Sequence, residues 1–109
     1  MWEVVGTVKP NQRHIYATRH MYIDEDSWQV ALVDHYDGRG QLWRVAEGHA
    51  QYYYDHQVPA YTLEALYDLN AGRYLALGMK NEEKHSLEFG FAAKAADYTP
   101  AALRASGVR

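Results

Sequence analysis

The sequence predicts a mainly β fold: an antiparallel meander followed by a short C-terminal helix. Three observations predict it. Strand-like runs follow one another at short intervals, joined by turns of Gly, Asp and Asn. Tyr is used 10 times against 2 Phe, with 3 Trp beside it, and large rings with a polar handle suit half-buried strands. The apolar pattern turns from strand-like to helical only after Thr99.

Each element follows from local chemistry. Trp2–Val8 is the first strand. Lys9-Pro10-Asn11-Gln12 is a turn, because Pro presets φ at the second position and Asn tolerates the third. His14–Asp24 is the second strand. Asp24-Glu25-Asp26-Ser27 turns the chain into a third strand, Trp28–Tyr36. Gly38-Arg39-Gly40 fits a three-residue hairpin loop with Gly40 left-handed. That loop sets Asp34 opposite Arg44, His35 opposite Trp43 and Val33 opposite Val45. The fourth strand starts at Gln41 and runs to Tyr54, with Gly48 marking a bulge or bend.

Pro59 interrupts the ladder, since it has no N–H to donate. Tyr61–Asp68 and Arg73–Lys80 form a further hairpin around Asn70-Ala71-Gly72. With Gly72 left-handed, Tyr67 pairs with Leu75, Ala65 with Leu77 and Leu63 with Met79. Leu63, Ala65, Leu75, Leu77 and Met79 then share one buried face. Ser86–Phe91 is the last of about seven strands. Thr99-Pro100-Ala101-Ala102-Leu103-Arg104 reads as an N-cap, a Pro at the first helical position and helix formers, stopped by Gly107. The sheet portion is therefore residues 1–92 and the tail with its helix 93–109.

Composition narrows the function. The chain has 109 residues, 48% of them hydrophobic and 23% charged, enough for one modest core. Its net charge of −3, without a basic block, argues against a nucleic-acid partner. With no cysteine there is neither disulfide nor thiolate metal site. No apolar run reaches membrane-spanning length. Strand-like residues begin directly after Met1, so the chain is expected to be a piece of a longer single domain. A short natural protein is the alternative.

No catalytic constellation stands out. His14, His20, His35, His49, His56 and His85 lack the spacing of a metal site and read as surface and strand-edge residues. Asp24-Glu25-Asp26 lacks the Gly and the distal Glu of a calcium loop, and reads as a turn capped by short acids. Asp37-Gly38-Arg39-Gly40 precedes a strand, so no helix N-terminus faces an anion there. Ser27 and Ser86 have no nucleophile-elbow context. No catalytic, cofactor-binding or metal residue is assigned, and no cofactor is expected. Tyr52-Tyr53-Tyr54 with Tyr61, Trp28 and Trp43 is the most suggestive cluster. It suits an apolar cleft or the two faces of a partly exposed sheet equally well.

Three stretches taken together carry a resemblance. They are Arg13-His14-Ile15-Tyr16-Ala17-Thr18-Arg19-His20-Met21-Tyr22-Ile23-Asp24-Glu25-Asp26-Ser27-Trp28, Tyr36-Asp37-Gly38-Arg39-Gly40-Gln41-Leu42-Trp43-Arg44, and Asp97-Tyr98-Thr99-Pro100-Ala101-Ala102-Leu103. They resemble the C-terminal part of an uncharacterised family of exported Gram-negative proteins. That family is itself similar to outer-membrane lipoprotein-sorting proteins of the LolA/LolB type. The resemblance implies a curved antiparallel sheet, an incomplete barrel whose hollow takes acyl chains. It also implies a periplasmic or outer-membrane-associated location.

The expected function is a non-enzymatic envelope domain that binds lipid or lipoprotein acyl chains on an apolar, concave sheet face. Trp28, Val30 and Leu32, which share a parity on the third strand, are the candidate lining residues; the alternative for them is plain core under a helix. The expected partners are lipid, acyl chains or an envelope protein. The rival readings are a protein–protein scaffold using sheet edges or Tyr-rich faces, and a small enzyme built in the cavity.

Overall fold

A computed structural model describes residues 1–80, 82–84 and 87–107. Alternating side chains and tight turns lay down six antiparallel strands in the order of the sequence. They are β1 (Trp2–Thr7), β2 (Thr18–Ile23), β3 (Val30–Tyr36), β4 (Leu42–Tyr53), β5 (Val58–Asp68) and β6 (Arg73–Leu77). The sheet is open: β1 and β6 each have one neighbour and do not meet. A single 3-10 turn, Ala95–Tyr98, leads into α1 (Pro100–Ser106). The helix packs against that turn and against no strand.

The turns form as local chemistry dictates. Gln12 N–H donates to Lys9 C=O at 3.1 Å, and Asn11 takes φ 64° at the third position. Asp24 accepts from Ser27 N–H at 2.9 Å and from the Ser27 hydroxyl at 2.6 Å, so the acidic turn is a side-chain cap. Gly40 and Gly72 both lie in the left-handed region, at φ 76° and 61°. The Thr99 hydroxyl accepts from Ala102 N–H at 3.2 Å and starts the helix, with Pro100 in its first turn.

Pairing departs from expectation at Pro59, which stands inside β5 opposite Tyr52 instead of interrupting the ladder, and in three further places. The Gly40 loop does set Tyr36 opposite Leu42, but Trp43 is then an extra residue. Asp34 therefore faces Val45 and His35 faces Arg44, one residue away from the register the loop alone predicts. Asp34 and Arg44 consequently lie on opposite faces, and Arg44 finds Asp68 on β5 instead. At the next hairpin the loop is one residue longer than expected. Leu69 N–H donates to Trp43 C=O, and Asp68 pairs with Arg73. Tyr67 thus faces Tyr74, Ala65 faces Ala76 and Leu66 faces Leu75. Leu75 and Leu77 share no face with Leu63 and Ala65, and are 53% and 44% exposed. Ala65, at 5%, is the one hydrophobic residue buried outright among those described.

The last departure is the count of strands. Leu87–Phe91 is irregular rather than extended into a seventh strand, and Ser86, where that strand was to begin, lies outside the described residues. Phe89 instead packs on the β4–β5 hairpin, 4.9 Å from the Tyr53 ring and 4.6 Å from His56.

Candidate functional site

Antiparallel pairing sorts side chains into transverse rows, and alternate rows face opposite ways. One row crosses the whole sheet as Val4, Met21, Val33, Ala46, Leu66 and Leu75. Every member is apolar. The next row on the same face, about 7 Å along the strands, runs Gly6, Arg19, His35, Arg44, Asp68 and Arg73. On the other side of the apolar row stand Trp2, Ile23 and Val30 and, across β4 to β6, Gly48, Glu64 and Leu77. The opposite face is mixed. Its rows run Glu3, Tyr22, Leu32, Glu47, Ala65, Ala76 and Val5, His20, Asp34, Val45, Tyr67, Tyr74. There Glu3 meets His20 at 2.8 Å and Glu47 meets His49 at 3.3 Å.

The apolar face carries three depressions. One of about 170 Å³ is lined by Val30, Val33, Ala46, Gly48, Tyr61 and Leu66, among others. Gly48 is what lets it exist. A Cβ there would stand 2.6 Å from Tyr61 Cε1 and 2.8 Å from Val30 C=O. The Tyr61 hydroxyl donates to that same Val30 carbonyl at 2.8 Å. Gly48 thus admits a ring against the backbone, while the bulge itself falls beside it, with Thr62 as the extra residue.

Another depression, of about 310 Å³, lies over the polar row between Tyr16, His35, Arg44, Asp68, Arg73 and Leu75. Arg44 holds it together. Its Nε donates to Asp68 at 3.0 Å and its Nη1 to the Tyr16 hydroxyl at 2.9 Å, with Trp43 4.4 Å beneath the guanidinium. Tyr16 stacks on His35 at 4.2 Å. Burial first, then the positive charge of Arg19 and Arg44, pushes the His35 imidazole below its ordinary pKa. The Ala71 N–H and then Arg44 hold the Asp68 carboxyl below the usual carboxylate range. A third depression, of about 440 Å³, opens where the end of β1, the loop 9–16 and the start of β2 meet. Among the described residues, no group of three or more His, Asp or Glu side chains gathers as a metal site.

The three candidates from the sequence separate. Val30 lies on the apolar face, opposite Ile23. Ala31 is an extra residue in the β2–β3 ladder, so Leu32 faces Tyr22 and turns to the mixed side. Trp28 sits in the turn before β3, 71% exposed, with φ at 58°. The polar row was not foreseen. Its only trace in the sequence is that Arg19, Arg44 and Arg73 each fall near one end of a strand.

Residues 1–104 match the family described as "Protein of unknown function (DUF1329)". The chain belongs to that family. It is 67% identical over all 109 residues to an uncharacterised protein of Pseudomonas aeruginosa, and spans 24% of that relative's length. The sheet is similar to the crystal structure of a domain from Vibrio parahaemolyticus assigned as an outer membrane lipoprotein-sorting protein. That likeness has a TM-score of 0.63 at 16% identity, covering 89% of this chain and 39% of the other. The shared feature is the fold.

Proposed function

We propose that this sheet forms one wall of an envelope domain that binds lipid or lipoprotein acyl chains without chemistry. The observation that carries this reading is the unbroken apolar row Val4, Met21, Val33, Ala46, Leu66, Leu75, uncovered along its length by any described element. A sheet face of this kind must be covered to be stable. A hydrocarbon chain laid across it would gain ~0.8 kcal/mol per buried methylene. The fold likeness to the sorting domain supports the same reading. Val30 stays a lining residue, Trp28 stands at the margin and Leu32 faces away. On this reading the protein acts in the periplasm or against the outer membrane.

The test is a titration of the full-length natural protein with a fluorescent fatty-acyl probe. Saturable binding that Val33→Glu or Leu66→Glu abolishes is the expected result. Native folding of each variant is checked by circular dichroism. Binding that neither variant alters would contradict the assignment.

A second reading is favoured by one feature. The free edge of β1 exposes Trp2, Val4 and Val5, with neither Pro nor Lys to blunt it, and such an edge accepts another strand. In that case the sheet would be a pairing scaffold.

A further inference from the structure

We infer that the basic end of the apolar face is a receptor for an anionic head group, phosphate or carboxylate, on the amphiphile whose chain lies along the apolar row. This deepens the acyl-chain reading and rests on it for the position of the tail.

Three observations carry the inference. The first is the arrangement of rows. Arg19, Arg44 and Arg73 lie in the row next to the apolar one and on the same face. Asp68 is the one carboxylate in that row, and it is engaged by Arg44. Of the other acidic residues on the strands, Glu3, Asp34 and Glu47 face the other way, and Glu64 stands on this face but beyond the apolar row from the arginines. A chain of net charge −3 thus places an excess of positive charge beside its hydrocarbon surface.

The second is the 440 Å³ depression at the β1 end of this row. Lys9, Arg13, His14, Tyr16, Arg19 and Met21 are among its lining residues, and no described carboxylate is. Lys9, Arg13 and Arg19 form no ion pair among the described residues.

The third is a surplus of donors. Tyr16 N–H donates to His14 Nδ1 at 3.0 Å, while Arg19 Nη2 approaches His14 Nε2 at 2.9 Å. A neutral imidazole offers one acceptor nitrogen, so one of these contacts sets donor against donor. The corner lacks acceptors, and anionic oxygens would supply them. The guanidinium geometry suits such oxygens, and Met21 gives the contact surface where head meets tail.

The experiment compares dodecyl phosphate, dodecyl maltoside and inorganic phosphate by calorimetry on the full-length natural protein, with both amphiphiles below their micelle concentrations. Dodecyl phosphate should bind about tenfold tighter than dodecyl maltoside at low salt, and the gap should close as salt rises. The double variant Lys9→Gln/Arg13→Gln should erase most of that gap while leaving maltoside binding unchanged. Both side chains are exposed and make no side-chain hydrogen bond among the described residues, so the fold should survive. Arg19→Gln should act in the same direction.

Equal affinity for the two amphiphiles would overturn the head-group site and leave the acyl reading standing. Binding of inorganic phosphate with neither amphiphile bound would support an anion site for a free ligand and overturn the acyl reading. If none of the three binds, both are overturned.

Discussion

Trp28 and Gly48 show how single residues set the margin of the site. A β-branched or aromatic residue at positive φ costs roughly 1–2 kcal/mol relative to one suited to that region. Trp28 carries that cost at φ 58° while remaining 71% exposed as a residue, so packing within this chain does not explain its presence. Trp28→Asn is expected to leave stability unchanged or raise it by about 0.5–1 kcal/mol, read as a higher urea midpoint. A loss instead would show that the indole supports the fold. Gly48 is the opposite case. Gly48→Ala drives a methyl into Tyr61 and the Val30 carbonyl and should cost about 1–3 kcal/mol. The same substitution in a Tyr61→Ala background should cost measurably less, because the clash with the ring is gone and only that with the Val30 carbonyl remains.

The titratable residues give a pH prediction with one sign. Asp24, Asp37 and Asp68 have folded pKa values below their ordinary 3.8, each because hydrogen bonds hold the ionised form. Their contribution is fully present above the unfolded value and is lost as pH falls through the folded ones. His35 also lies below its ordinary 6.5, chiefly through burial. The unfolded chain takes up that proton first, so stability falls as pH drops below about 6.5 and levels off beneath the folded value. Stability should therefore decline in two steps on acidification. His35→Gln should remove the upper step and Asp68→Asn should shrink the lower. Urea melts from pH 8 to pH 3 would check both.

At the scale of elements, what the sequence makes legible is the turns, and what it hides is the bulges. Pro10-Asn11, Asp24, Gly40, Gly72 and Thr99 act through their own backbones and nearest neighbours, and each does what its chemistry predicts. Ala31, Trp43 and Thr62 are extra residues for reasons that reside in other strands. Trp43 is the clearest. Its carbonyl accepts from Leu69 N–H, and its displacement lets Arg44 reach Asp68. No local pattern around Gly40 contains that information. The extra Ala31 turns Leu32 off the apolar face, and the longer β5–β6 loop puts Leu75 on it.

The burial order reverses with it. Leu77→Ala should cost under about 1 kcal/mol in the isolated chain, as befits an exposed position. Ala65→Leu, between Glu47 and Ala76, should cost about 1–3 kcal/mol by overpacking. Equal losses in urea melts would restore the register that the hairpin loop alone suggests.

The whole molecule is an open wall. Its radius of gyration is 17.5 Å, against about 13 Å for a compact domain of this size. Its accessible surface is 9269 Å², against about 6,200 Å² for a folded monomer of 12.5 kDa. The chain spans 24% of the Pseudomonas relative's length. Division of the faces gives this openness a purpose on our account. Glu3, Asp34 and Glu47 face one way, and hydrocarbon bordered by Arg19, Arg44 and Arg73 faces the other.

Photo-crosslinking from a diazirine placed mid-chain in a fatty-acyl probe bound to the full-length natural protein tests this most directly. The account predicts adducts on Met21, Val33, Leu66 and Leu75, with Glu47, Leu63 and Tyr67 unlabelled. Adducts confined to that second set, or lying wholly outside this segment, would contradict it.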